Sequence, residues 1–327
     1  TTSSQKIAPF PLLFLASTPI PPQQNPEDPS LHFSKSQEIL TKPISKARIF
    51  ILLMAPRLIS CFRPKKDSNT RQSDPAATAD EAAEEQRRGG GGGNGPVLVE
   101  LFSSQGCKTS PEAELVMSRL GRGDFNLDRP IIVLGFHVDY WDYIGWKDPF
   151  GSSQWTVRQK AYVEALRLDT MFTPQFVVQG RAQCVGNEEE SVLSHIASAP
   201  SFPPPSFQAN FQKADGNTLQ VSLTGQVRMK IDSQGANIMV ALYECGLVTD
   251  CPTGENKGRV LSNDYVVRRL EKLSSVKDLS PKKTVSGTVN FPLWEGINVT
   301  KCGIALFVQN NSHQIFGSQK FNLPDNL

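Results

Sequence analysis

No stretch of this 327-residue chain approaches the run of about 20 apolar residues that a membrane-spanning helix needs. The longest apolar runs are Pro9 to Ala16 and Ile49 to Met54, so no integral membrane segment is expected. Charge of one sign is also missing. Lys+Arg number 34 against Asp+Glu 32, which leaves no basic field to draw the chain to nucleic acid. Cysteine is scarce: Cys61, Cys107, Cys184, Cys245, Cys251 and Cys302 are six scattered residues, too few for a disulfide scaffold. A reducing compartment, hence a cytoplasmic location, is the expectation. Cys245 and Cys251 would close a small loop only in an oxidising one. No internal repeat is visible, and no methionine precedes Met54.

The N-terminal third has little with which to build a core. Residues 1–53 are rich in Pro, Ser and Gln and read as a disordered, non-native upstream extension. The run Pro9 to Ala16, which follows Lys6, could otherwise pass for a weak signal-peptide core. Residues 63–95 read as a linker that ends in the glycine run Gly89 to Gly93. Residues 1–95 therefore stand apart from the folded part.

Order is expected from Pro96. Val97 to Phe102 reads as a buried strand, and Pro111 to Leu120 as a helix with proline at its first position and Gly121 at its end. Pro130 to His137 is a second strand, Asp139 to Gly151 an aromatic loop and Ser153 to Leu168 a second helix. Gln175 to Val178 and Arg181 to Val185 form a hairpin about Gly180, and Asn187 caps a third helix reaching Ser198. Alternation of this kind over 96–200 predicts an α/β layer domain. Pro200 to Pro205 holds four prolines and reads as a boundary. Beyond it, over 206–325, seven strand-like segments predict an antiparallel, sandwich-like β domain. They are Phe207 to Phe211, Thr218 to Leu223, Asn237 to Tyr243, Tyr265 to Leu270, Thr284 to Phe291, Gly303 to Val308 and Gln314 to Phe321.

The chemistry concentrates in Ser103-Ser104-Gln105-Gly106-Cys107-Lys108-Thr109-Ser110-Pro111. A cysteine between a buried strand and a helix start lies near unpaired N–H groups and the positive end of the helix dipole. Both favour thiolate, so Cys107 is expected to be acidic, accessible and nucleophilic. Three residues on, Ser110 can donate a hydrogen bond to sulfur but cannot form a disulfide. Thr173-Pro174, between a loop and a strand, can adopt the cis form. His137, Asp139, Trp141, Asp142, Trp146 and Asp148 cluster at the end of the second strand, where ligand-contacting loops of open α/β sheets sit. The aromatics could form a substrate platform, although loop packing is the plainer reading. His137 reads as a satisfied strand-end histidine, since its spacing to Asp139 and Asp142 is not that of a metal site. No metal is expected.

From about Val97 to Ser198 the chain resembles the thioredoxin-like DUF1223 family, as a plant-type member with a C-x-x-S site. The matching stretches are VELFSSQGC (99–107), FHVDYWDYIGWKDPF (136–150), RQKAY (158–162), TPQFVVQGRA (173–182) and GENKGRVLSNDYVVR (254–268). The resemblance implies a thioredoxin-like fold with Cys107 in the attacking position and Pro174 as the cis-proline facing it. The family pattern is C-x-x-C, and Ser110 stands where the second cysteine would be. What remains is monothiol exchange with a disulfide-bearing protein or with glutathione as co-substrate, or a catalytically inactive binding module. No other cofactor is implied. Thr173 joins His137, Asp139, Trp141, Asp142 and Trp146 as an expected substrate contact.

Overall fold

The computed structural model describes residues 95–229, 235–276, 283–324 and 327. Of the expected extension, residues 1–95, all but Gly95 lie outside them, Cys61 included, and the Gly95 N–H donates to the Phe202 carbonyl at 2.9 Å. The chain runs β1 (Val97–Ser103), α1 (Ser110–Arg122), β2 (Ile131–His137), a 3-10 turn (Asp142–Ile144), α2 (Ser153–Ala165), β3 (Gln175–Val178), β4 (Ala182–Val185) and α3 (Glu189–Ser198). It continues through β5 (Ser206–Ala214), β6 (Thr218–Gln226), β7 (Ala236–Glu244), β8 (Leu247–Cys251), β9 (Arg259–Asn263), β10 (Val266–Val276), β11 (Thr284–Pro292), β12 (Cys302–Asn310) and β13 (Ile315–Asn322).

β1 is buried at all seven positions, as a near-continuous apolar strand must be when both faces of its sheet are covered. Alternation sorts its side chains. Val97, Val99 and Leu101 pack with Ala113, Met117 and Leu120 of α1 and Val192 and Ile196 of α3. Leu98 and Phe102 face the other way, toward Trp155 and Tyr162 of α2. β1 pairs parallel with β2 and antiparallel with β3, and β3 pairs antiparallel with β4.

The segments 96–200 and 206–325, read as separate domains, share one sheet. Its eight strands run β13-β12-β7-β10-β2-β1-β3-β4. The seam is one short parallel pairing, Val266 with Gly135, completed by the Gly135 N–H donating to the Tyr265 carbonyl at 2.8 Å. Without β10, the backbone edge of β2 would be left unpaired. A three-stranded sheet, β11-β6-β5, packs Leu219, Val221, Leu223 and Phe291 against Ile238, Val240, Leu242, Ile304 and Leu306 of the large sheet. The antiparallel strands read from sequence are present, but one leaf of their sandwich continues the α/β sheet.

Other boundaries shift for local reasons. α1 does not end at Gly121. It runs on to Arg122 and closes at Gly123 (φ 79°), whose N–H donates to Leu120. Gly121 is inside the helix because the Tyr265 ring lies on it, and a Cβ there would come within 2.3 Å of that ring. α3 starts at Glu189 with no side-chain cap, so Asn187 does not cap it. α2 stops at Ala165 rather than Leu168. The hairpin β8–β9 is an addition the sequence reading lacked. Among the described residues no helix is long and apolar enough to cross a membrane.

Candidate functional site

The loop from β1 to α1 is held by side chains from three directions. Within the loop, the Cys107 N–H donates to the Ser104 carbonyl at 3.0 Å, and the Gly106 N–H to Ser104 Oγ at 3.1 Å. From the aromatic loop, Asp148 Oδ2 accepts the Gln105 N–H at 2.7 Å, and Trp146 Nε1 donates to Gln105 Oε1 at 3.1 Å. From the β8–β9 side, Gln105 Nε2 donates to Thr249 Oγ1 at 3.1 Å and Asn263 Oδ1 at 2.8 Å. Asn256, in the turn between those strands, donates from Nδ2 to the carbonyls of both Gln105 and Cys107, each at 2.9 Å.

Cys107 Sγ faces the Thr173 carbonyl at 3.6 Å and Thr109 Oγ1 at 3.5 Å. The Thr173-Pro174 bond is cis, and Trp141 Nε1 donates to Thr173 Oγ1 at 2.6 Å. Burial works against ionisation of the thiol, but hydrogen bonds from Ser110, Thr109 and Thr173 outweigh it and hold Cys107 below its ordinary pKa. The expectation of an exposed thiol is corrected. Cys107 is 5% exposed, because the loop is tied down on the β8–β9 hairpin and beneath Trp141, whose Cβ lies 3.0 Å from where a Gly106 Cβ would be. Lys108 and Thr109 beside it are exposed. Ser110 is buried, and its Oγ accepts the Ser104 N–H at 3.2 Å.

Below this loop lies a charged cluster. His137 is fully buried. Its Nδ1 meets Asp148 Oδ2 at 2.7 Å, and its Nε2 faces Glu114 Oε1 at 3.3 Å. Glu114 Oε1 also accepts the Ser103 hydroxyl. Burial would drive the imidazole neutral, but the two carboxylates prevail and raise its pKa to about 10. Asp148 is lowered in turn: the imidazolium, with the N–H groups of Gln105 and Phe150, overcomes burial. His137 is therefore held at its strand end by a hydrogen bond at Nδ1 and by an ion-pair contact at Nε2, where the Glu114 carboxylate is near but makes no hydrogen bond. Among the described residues no group of three His, Cys, Asp or Glu side chains is placed to hold a metal ion.

The fold brings Cys107, Ser110, Thr173, Pro174 and Trp141 together. Trp146 braces Gln105 instead of presenting an open face. Asp139 accepts the Thr156 hydroxyl at 2.6 Å at the start of α2, and Asp142 accepts the Asp148 N–H at 3.1 Å. Both shape the aromatic loop. Glu114, Gln105, Thr249, Asn256 and Asn263 were missed. Asn256 stood within GENKGR, where an asparagine amid glycines and charges reads as a turn. From sequence, Glu114 is simply an acid near the start of a helix, where it suits the positive helix end. Cys184 is buried and its thiol is pushed up to about 11 by that burial, as suits an apolar filler. Cys245 and Cys251 are unpaired.

A family model described as a protein of unknown function, DUF1223, matches residues 98–309. No curated protein matches the chain. Among solved structures, a protein of Agrobacterium tumefaciens is similar at a TM-score of 0.51 and 24% identity, over 71% of this chain and 96% of that one. HBP35 of Porphyromonas gingivalis is similar at 0.50 and 14% identity, over 71% of this chain and 76% of that one. At these identities the likeness is one of fold.

Proposed function

The chain belongs to the DUF1223 family, and from that premise we propose that it is a thioredoxin-like, monothiol thiol–disulfide exchange protein working through Cys107. One observation carries the reading. A thiol acidified by hydroxyl groups lies just ahead of α1, 3.6 Å from the carbonyl of the residue before cis-Pro174. Two parallel strands followed by an antiparallel hairpin, with helices on both faces, support the thioredoxin-like part.

In the reaction, Cys107 thiolate attacks one sulfur of a disulfide. An S–S bond forms to Cys107, and the other sulfur leaves as thiolate. Ser110 cannot resolve the product, so an external thiol such as glutathione attacks the mixed disulfide and restores Cys107. The shallow exposure of Cys107 would favour a slender, extended disulfide. Such a substrate would lie along the exposed edge at Lys108 and Thr109, against Thr173 and Trp141.

Incubation with glutathione disulfide tests this. The expected result is one glutathione adduct, located on the Cys107 peptide by mass spectrometry and absent after Cys107→Ser. No adduct on Cys107 across neutral to mildly alkaline pH would refute the exchange reading. The shallow exposure of Cys107 and the serine at 110 favour a second reading, a binding module of the same fold. In that case Cys107→Ser leaves capture of a partner unchanged.

A further inference from the structure

β5 is one edge of the three-stranded sheet, paired on one side with β6 and on the other with no strand among the described residues. Its ladder is regular over all nine residues, with no bulge and no proline. In an antiparallel pair, residues alternate between those whose N–H and C=O both face the partner strand and those whose groups both face away. Gln319 of β13 shows which are which. Its Oε1 accepts the Phe207 N–H and its Nε2 donates to the Phe207 carbonyl, each at 2.9 Å. The backbone of Phe207 therefore faces away from β6. So do those of Ala209, Phe211 and Lys213, which follow at alternate positions.

The Gln319 amide closes the first of these rungs as a neighbouring strand would. The next three are open among the described residues, and a regular, open edge is a template for another strand. Both faces suit one. Gln208, Asn210 and Gln212 are exposed and uncharged on the outer face. Ala209 and Phe211 pack against the core between the sheets but are only partly buried, so an added strand would cover apolar surface that is still in contact with water.

We propose that a second copy of this chain supplies that strand, with β5 pairing antiparallel to the β5 of its partner about Phe211. A two-fold interface has to be self-complementary, and this register is. Ala209 pairs with the partner's Lys213, and Phe211 with the partner's Phe211. All three open rungs are used, and Phe207 is left to Gln319. On the outer face Asn210 lies opposite the partner's Gln212, amide to amide, and Lys213, the one charge of the strand, meets no like charge. Centring the pair on Asn210 would set Lys213 against the Phe207 that Gln319 already holds. Centring it on Gln212 would bring in Asp215, whose φ of 49° is not that of a strand. The dimer does not depend on the chemistry at Cys107.

Light scattering on the full chain as it elutes, over a series of loading concentrations, tests this. The expected result is a mass that climbs from one chain toward two. Ala209→Pro removes an N–H that the ladder to β6 does not use, so the fold keeps its pairing. The dimer loses one hydrogen bond per copy and should weaken on the order of tenfold. Two charged variants fix the register. Asn210→Lys with Gln212→Lys, and Asn210→Glu with Gln212→Glu, each set like charges across both outer pairs and should elute as single chains. Mixed in equal amounts, they set Lys against Glu and should form a heterodimer. Thermal melts of each variant check that the exposed substitutions leave the chain folded. A native chain that stays single at every concentration, a dimer equally tight in all three variants, or charged variants that do not combine on mixing overturns the proposal.

Discussion

Asn256 donates to the Cys107 carbonyl at 2.9 Å across 149 positions of sequence. The same amide holds the Gln105 carbonyl, so one buried side chain ties both ends of the Gln105–Cys107 turn to the β8–β9 hairpin. Asn256→Ala leaves two loop carbonyls without their donor, at a cost of about 1–3 kcal/mol. A lowered melting temperature and several-fold faster iodoacetamide labelling of the Cys107 peptide are the expected outcomes. Unchanged labelling would mean that the hairpin does not guard the thiol.

The His137 cluster predicts a pH dependence with a definite sign. The folded pKa, about 10, lies above the ordinary value of about 6.5, so the protonated imidazole stabilises the fold. That contribution is complete below about pH 6.5 and is lost as pH rises toward about 10. Thermal unfolding from pH 6 to pH 10, about that window, should show a falling midpoint in the native chain. In His137→Gln the midpoint should be lower at pH 6 and its fall shallower. Parallel curves for the two proteins would place the titration elsewhere.

Strands and helices were legible where local pattern decides them. The apolar run Val97 to Phe102, the proline opening α1 and the strand-like segments that became β6, β7 and β12 all formed the expected elements. The joining of the two halves was not legible. It depends on Val266 meeting Gly135 and on the Tyr265 carbonyl, contacts between residues about 130 apart that leave no periodic signal. The nearness of Cys107 to Thr173 and the cis form of the Thr173-Pro174 bond could be anticipated, because a helix start and an X-Pro bond ahead of a strand are local signals. Glu114 and Asn256 could not, because their role comes from burial, and an acid or an asparagine in isolation reads as surface. The depth of Cys107 was misread for the same reason: the hairpin that covers it is a long-range neighbour.

Gly121 gives a test in which packing reverses helix propensity. In an exposed helix interior, Gly→Ala gains about 1 kcal/mol. Here the new Cβ would come within 2.3 Å of the Tyr265 ring, an overpacking that costs about 1–3 kcal/mol. Gly121→Ala is therefore expected to lower the denaturation midpoint, and adding Tyr265→Ala should recover part of the loss. A stabilised Gly121→Ala chain would show that the ring does not rest on α1.

The last test changes the residue that limits the proposed cycle. Position 110 opens α1 three residues after Cys107, and the Ser110 hydroxyl is among the groups that lower the Cys107 pKa, so a cysteine there is expected to reach Cys107 Sγ after small adjustment. In the native chain a glutathione adduct on Cys107 has no internal thiol to displace it and should accumulate. In Ser110→Cys, the new thiolate attacks Cys107 Sγ, glutathione leaves, and an intramolecular disulfide forms. The expected readout is a chain lighter by two hydrogens, with little adduct, after the same treatment. Ser110 Oγ also accepts the Ser104 N–H. Sulfur is the weaker acceptor, so a stability loss of about 1 kcal/mol accompanies the change. Persistence of the adduct at native levels in Ser110→Cys would show that position 110 does not face the working sulfur, and the monothiol account of this site would fall with it.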